Sequence, residues 1–298
     1  MASPATVIPR TASRRFATWL HSRPRVQLRL LLATPWVWMV LIYLGSLIIL
    51  LLNAFWESDS FSGQVTPFTW TLDAFERIFT VEVYRTIAIR TGSIAVLVTL
   101  TDIALGFPIA YYMARVASPG KRRLLLVAVL MPLWASYLVK IYAWRTILIP
   151  NGVLDSALAP FGLETPGLSE LAGSWLVLSY LWLPYMILPI YVGLERIPNS
   201  LLEASSDLGA HGWTTFRRVV LPLALPAVVA GSIFTFSLTL GDYITPDLIS
   251  NTKFIGNVIY DNSALGSLPV AAAYSLLPIA IMVVYLLLAR RLGAFASL

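Results

Sequence analysis

The sequence predicts an all-α integral membrane protein with six transmembrane helices. Three observations carry this prediction. The 298 residues are 58% hydrophobic and 12% charged, with a mean hydropathy of +0.76, whereas a soluble domain is about a quarter charged. Six apolar stretches reach the roughly 20 residues a helix needs to cross a bilayer. Basic residues concentrate on alternate flanks of these stretches, the bias that orients membrane chains. Helices are the expected spanning element because lipid cannot satisfy open backbone groups, and the alternating runs of a barrel are absent from the sequence.

Residues 1–29 form a basic tail with Arg10, Arg14, Arg15, Arg23, Arg25 and Arg29. Span one is expected at Leu30–Leu52. It is too long for the apolar part of a signal peptide and no small-residue cleavage site follows, so it reads as a retained span. In the long loop 53–91, Leu72, Phe75, Ile78 and Phe79 predict a short surface helix. Spans two and three follow at Gly92–Tyr112 and Leu124–Tyr142, joined by a loop holding Arg115, Lys121, Arg122 and Arg123. Spans four, five and six fall at Trp175–Leu194, Ala227–Ile244 and Pro269–Ala289. Arg196, Arg217 and Arg218 lie between four and five, and Arg290 and Arg291 follow six. The other loops hold Arg77, Arg85 and Arg90, then Arg145, then Lys253. The richer side marks the cytoplasm, so both termini are expected inside and residues 30–298 form one transmembrane domain. The remaining loops on the poorer side, rich in Gly, Pro and Ser, are expected to be irregular. Prolines 108, 132, 184, 189 and 278 predict bent spans.

Composition also narrows the chemistry. With no cysteine, a disulfide, a thiolate metal site and a cysteine nucleophile are excluded. His21 and His211 lack ligand-like spacing, and no metal site is expected. The net charge of +6 reads as topology and contact with anionic lipid rather than as nucleic-acid binding. No G-x-x-x-x-G-K-[ST] loop is present, so any ATP hydrolysis belongs to another chain.

One polar segment, residues 196–222, interrupts the apolar pattern. Ser200 and Glu203 have capping-box spacing, and Leu201, Ala204 or Ser205, and Leu208 share a helical face. Gly209 suits a helix stop. Gly212 and Trp213 restart the chain, and Pro222 and Pro226 kink or break the approach to span five. A short helix, a hinge and a second helix result. The apolar face of the first needs cover, from lipid or from a partner protein. In the simpler reading, Glu203 only caps and Gly209 only stops the helix.

Glu203-Ala204-Ser205, then Gly209, then Val219-Val220-Leu221-Pro222 resemble the EAA loop of permease subunits of binding-protein-dependent ABC importers. Ser205 stands for the second alanine of that motif and Val219 for its isoleucine. The resemblance implies the type I (MetI-like) importer permease fold in a bacterial cytoplasmic membrane. It implies that this chain is no enzyme and that ATP and Mg are bound by a separate ATPase dimer. It further implies a second permease subunit, forming a heterodimer, and an external substrate-binding protein. Glu203, Ala204, Ser205, Leu208 and Gly209 become the ATPase-coupling residues. Residues 133–144, the run Gly241-Asp242-Tyr243-Ile244-Thr245-Pro246, and Thr71-Leu72-Asp73 with Phe75 resemble spermidine/putrescine permeases in particular. That likeness implies a polyamine cargo, with another small solute as the alternative.

A polycation is held by carboxylates and aromatic faces. Asp242 and Tyr243 supply both near the outer end of span five, Trp134, Tyr137 and Phe236 offer aromatic walls, and Asp102 in span two is a cation waypoint. Each has a simpler reading. Asp242 is then a helix-end carboxylate bonded to nearby backbone or Thr245, and Asp102 an interhelical contact, with Lys140 where depth allows. An ionisable residue inside a span costs about 2.5–3.5 kcal/mol and so faces a cavity or a partner. Lys140 would repel a polyamine and is expected to snorkel or pair. A stand-alone secondary transporter would show inverted halves, and a membrane enzyme a cluster of nucleophile, acid and base. The sequence displays neither.

Overall fold

Runs of Leu, Ile and Val long enough to cross a bilayer become the longest helices of a computed structural model, in which residues 24–58, 65–149, 152–161 and 170–291 are described. The chain divides into two units, residues 1–53 and 54–298. In the first, α1 (Pro24–Trp38), a π-helical turn Met39–Leu44 and α2 (Gly45–Asn53) form one apolar span. None of its described side chains is buried within the chain. Arg10, Arg14, Arg15 and Arg23 of the expected basic tail lie outside the described residues.

The second unit opens with a strand pair, a stretch for which the sequence predicts no element. Strand β1 (Trp56–Ser58) pairs antiparallel with β2 (Val65–Trp70), setting Trp56 opposite Trp70. The expected surface helix follows as α3 (Asp73–Thr80). Its buried positions are Ala74 and Ile78, an i, i+4 pair on one face, while Leu72 and Phe79 are 64% and 75% exposed. Leu72 is the residue before the helix, so the helical period does not direct it inward.

Helix α4 (Glu82–Tyr111), extended by a π turn Tyr112–Val116, is the second span. It starts ten residues before the expected Gly92, because its first turns carry Glu82, Arg85 and Arg90 and do not read as apolar. The third span departs from expectation more sharply. The single helix expected over Leu124–Tyr142 is two, α5 (Pro119–Trp134) and α6 (Tyr137–Leu148), bent by 94°. Ala135 and Ser136 are both extended at the break, with ψ of 141° and 137°. Tertiary contacts hold α6 off the axis. Ile141 is buried in a cluster with Val177 and Leu181, and Trp144 packs edge-on against Tyr180.

Next come α7 (Val153–Leu158) and the fourth span α8 (Glu170–Glu195). A short helix α9 (Asn199–Asp207), α10 (Gly212–Thr215) and a π turn Phe216–Val220 lead into the fifth span α11 (Leu221–Gly241). The helix runs on from the π turn through Pro222 and Pro226 as far as Gly241, without the break that these prolines suggest in the sequence. Two further helices, α12 (Ile244–Ile249) and α13 (Ile255–Ala264), occupy a stretch expected to be irregular, before the sixth span α14 (Leu268–Arg291).

Helices α4, α8 and α11 form the centre of this unit. Ala110, Met113, Met186, Ile190, Leu194, Val220 and Ala224 bury together towards one end. Small residues permit the approach. A Cβ at Gly106 would lie 3.1 Å from Met186 Cγ, and one at Gly231 2.9 Å from Met186 Sδ. Helix α14 is tied on by Tyr274 Oη donating to Tyr84 O (2.7 Å) and Tyr285 Oη donating to Ser232 Oγ (2.7 Å).

Candidate functional site

Arg115, Lys121, Arg122, Arg123, Arg196, Arg217 and Arg218 mark one end of the bundle, where the α9–α10 elbow also lies. Helix α9 begins at Asn199 behind Pro198, whose ψ of 139° is extended and which has no side chain able to cap. The expected Ser200–Glu203 capping box is therefore not formed: Ser200 already lies inside the helix. No residue of α9 is buried, and Leu201 and Leu208 are 43% and 88% exposed. The expected stop is present. Gly209 has φ of 77°, in the left-handed region, its N–H donates to Ser206 O (2.8 Å), and Ala210 N–H reaches Ser205 O (3.1 Å).

His211, extended, starts α10. Ser205 Oγ lies 2.8 Å from Thr215 Oγ1, so the serine that departs from the family motif ties the two helices of the elbow together. Trp213 remains 71% exposed while stacking on Phe216 at 5.4 Å. Phe216 in turn meets Phe107 and Tyr111 of the second span edge-on. Between α9 and α10 a shallow cleft of about 530 Å³ is lined by Leu201, Ala204, Ser205, Leu208, Gly209 and Arg218, among others. Four of the five candidate coupling residues thus share one concavity, and Glu203 lies outside its lining.

Two arginines brace this end. Arg115, in the π turn after α4, donates from Nη2 to Leu194 O and to Ile197 O (2.7 Å), and from Nη1 to Asn199 Oδ1 (2.9 Å). Arg122, in the first turn of α5, donates from Nε to Met113 O (3.1 Å) and from Nη2 to Ala114 O (3.2 Å), and its Nη1 pairs with Glu195 Oε1 (3.1 Å). Each guanidinium donates to carbonyls at the end of a neighbouring helix, where intrahelical partners run out; Leu194 O also accepts from the Ile197 N–H (3.2 Å). In the sequence both arginines read as topology marks. Their spacing does not separate them from Lys121 and Arg123.

At the opposite end, Asp242 closes the fifth span and is 7% exposed. Its Oδ2 accepts from Tyr137 Oη (2.5 Å) and Thr245 Oγ1 (2.8 Å), and its Oδ1 from the N–H groups of Ile244 (3.0 Å) and Thr245 (3.1 Å). This is the helix-end arrangement: the carboxylate caps α12 and pins the start of α6, with four acceptor positions occupied. Tyr137 also stacks on Trp182 (5.9 Å), and Tyr243 stacks on Tyr260 (5.1 Å), a residue the sequence reading did not select. Lys253 Nζ lies 3.1 Å from both Asp247 and Asp261, and these hydrogen bonds push its ammonium pKa up. A cleft of about 750 Å³ beside it is lined by Glu82, Thr86, Arg90, Asn251 and Thr252, among others.

The other path candidates make none of these contacts. Trp134 is 84% exposed at the end of α5, whereas Phe236 is buried and stacked on Tyr285 (4.3 Å). Asp102 is fully buried, and neither of its oxygens accepts a hydrogen bond from a described residue. The expected contact with Lys140 is not formed, because Lys140 follows α6 around the 94° bend. Nor do α8 between Leu171 and Leu194, or α11, carry any charged side chain.

A family model for the inner membrane component of binding-protein-dependent transport systems matches residues 10–296. The chain is 45% identical over 295 residues, 92% of each chain, to the inner membrane ABC transporter permease protein YdcU of Escherichia coli K12. It is 31% identical over 227 residues to the spermidine/putrescine transport system permease protein PotB of Haemophilus influenzae, covering 74% of this chain and 78% of that one. Its fold is similar to a chain of a bacterial ABC transporter involved in the import of the acidic polysaccharide alginate, with a TM-score of 0.69 at 20% identity over 92% of this chain and 98% of that chain. A chain of the inward-facing MetNI methionine ABC transporter gives 0.57 at 16% identity, over 71% and 95%.

Proposed function

The chain belongs to the family of inner membrane components of binding-protein-dependent transport systems, and we propose that it is one of two permease subunits of an importer carrying polyamines into the bacterial cytoplasm. It is a multi-pass inner-membrane transport subunit, with ATP hydrolysis assigned to a separate subunit. The basic end is the cytoplasmic end in this proposal, since the positive residues gather there, and both termini lie inside.

The observation that carries the proposal is the α9–α10 elbow. A helix with no buried residue and an exposed leucine at its end is an unfinished contact. A groove on an ATPase subunit completes it by helix-in-groove docking, with Leu208 and Gly209 at the tip and Glu203, Ala204 and Ser205 along the helix. ATP and Mg reside on the ATPase dimer. Their binding moves α9, the spans tilt in response, and solute passes from an external binding protein along a path shared with the second permease.

Polyamine cargo is supported by the likeness to PotB and by the aromatic groups near Asp242. A second reading, another small solute, is favoured by one observation: the Asp242 carboxylate is already fully engaged by its own chain. Acidic recognition of a polycation would then fall to the binding protein and the other permease. The test is to purify the assembly with its binding protein and ask which solute stimulates ATP hydrolysis. Stimulation by spermidine or putrescine is expected. Stimulation by an unrelated solute alone would reassign the cargo, and an assembly with no ATPase would end the importer reading.

A further inference from the structure

We infer that Arg115 is a positioning residue that carries movement of α9 into the second span. The inference rests on α9 being the ATPase-docking helix. By chain connectivity alone, α9 is joined to two spans: α8, through Arg196–Pro198, and α11, through residues 208–220. The second span has no such link. Phe216 touches it from the far side of the elbow, and Arg115, in the π turn that ends that span, supplies a hydrogen-bonded link to α9 itself.

The geometry of the fork matters more than its charge. Two of its acceptors, the carbonyls of Leu194 and Ile197, lie on the α8 side of the joint. The third, Asn199 Oδ1, is on the first residue of α9. One planar guanidinium therefore straddles the hinge between a membrane span and the helix expected to be pulled. If α9 shifts against α8, either the Asn199 bond breaks or Arg115 is drawn along, and with it the end of the second span. A lysine, with a compact point charge, cannot hold three acceptors in this fork geometry. Arg122 provides an internal contrast. Its partners are Met113, Ala114 and Glu195, and none lies on α9, so it braces spans without crossing the joint.

The chain has no cysteine, so single reporters can be introduced cleanly. Val83→Cys reports on the outer part of the second span, at an exposed position. Gly241→Cys reports on the fifth span, where an added Cβ meets nothing within 4 Å. In the assembled transporter, labelling by a membrane-impermeant maleimide would be compared with and without ATP and Mg. In the parent background both reporters are expected to change rate. With Arg115→Lys or Asn199→Ala, the change at Val83→Cys should shrink to within about twofold of the nucleotide-free rate, the scale of a weak coupling. The change at Gly241→Cys should persist, because α11 keeps its covalent link. A merely structural defect would diminish both. Should Arg115→Lys fail to assemble, Asn199→Ala decides, since it removes only the α9 leg. A full ATP response at Val83→Cys in both variants overturns the inference, as does a parent transporter in which only Gly241→Cys responds. Crosslinking of Leu208→Cys to the ATPase checks the docking itself, so loss of that crosslink in the parent marks failure of the underlying reading instead.

Discussion

Asp242 illustrates how a single side chain changes meaning once its neighbours are known. Its position beside Tyr243 near the end of a span suggests a cation ligand. Its four hydrogen bonds identify a cap for α12 and an anchor for α6. Asp242→Asn should therefore act first on stability. Hydrogen bonds to a charged group contribute about 1.5–3 kcal/mol each, and a lowered melting temperature is expected. The apparent solute affinity of the surviving folded protein should stay within about twofold, since truncation effects follow the contacts removed. A large rise in apparent KM with unchanged melting would return Asp242 to the path. Gly209 is the converse case: the helix stop that the sequence predicts there is present. Its φ of 77° leaves any substitution strained even though nothing crowds its Cβ position, and the left-handed conformation costs other residues about 1–2 kcal/mol. Gly209→Ala should leave membrane insertion intact and reduce ATP-coupled uptake, measured against ATP hydrolysis in vesicles. Arg115 was not legible at all. A sequence shows that an arginine is present but not which carbonyl it reaches across 79 to 84 positions of chain.

Among the elements, legibility followed length. Spans one, two, four, five and six were visible because runs of twenty apolar residues have few other uses. The β1–β2 hairpin, α12 and α13 were not, since three to ten residues give too few periods to recognise. The third span was over-read for the opposite reason. Apolar character runs on through Ala135 and Ser136 while the backbone turns, and composition does not record ψ. What redirects the chain is packing: Tyr137 on Asp242 and Thr245, and Ile141 against α8. Helix α9 is legible as a helix, though the spacing of Ser200 and Glu203 points to a start later than the observed one behind Pro198. Because none of its residues is buried, Glu203→Ala should alter folding stability by no more than about 0.5 kcal/mol. Its expected effect is on ATPase docking, and co-purification of the ATPase subunit measures it. Normal co-purification with normal coupling would remove Glu203 from the docking set.

For the whole molecule, the three central spans meet so closely around Met186 that the bundle has little slack. Gly231 is the clearest test. Its Cβ position lies 2.9 Å from Met186 Sδ and 3.2 Å from Met186 O, so a larger side chain meets backbone as well as a flexible tip. Overpacking of this kind destabilises by about 1–3 kcal/mol. Gly231→Val should lower the melting temperature and the yield of assembled transporter, whereas Gly241→Val, beside open space, should do neither. Unchanged melting of Gly231→Val would mean that the core yields more readily than these distances imply.

The shortness of α5 has a consequence beyond the protein. Its 16 residues extend about 24 Å at 1.5 Å each, less than the roughly 30 Å of a bilayer's oily interior. Where α5 meets lipid, thinning of the bordering acyl chains is one way to match it, and the surrounding lipid would then act as an elastic element of the transporter. Reconstitution across a series of phospholipids should then reveal an optimum on the thin side, and the pump would sense the fabric of the membrane that houses it.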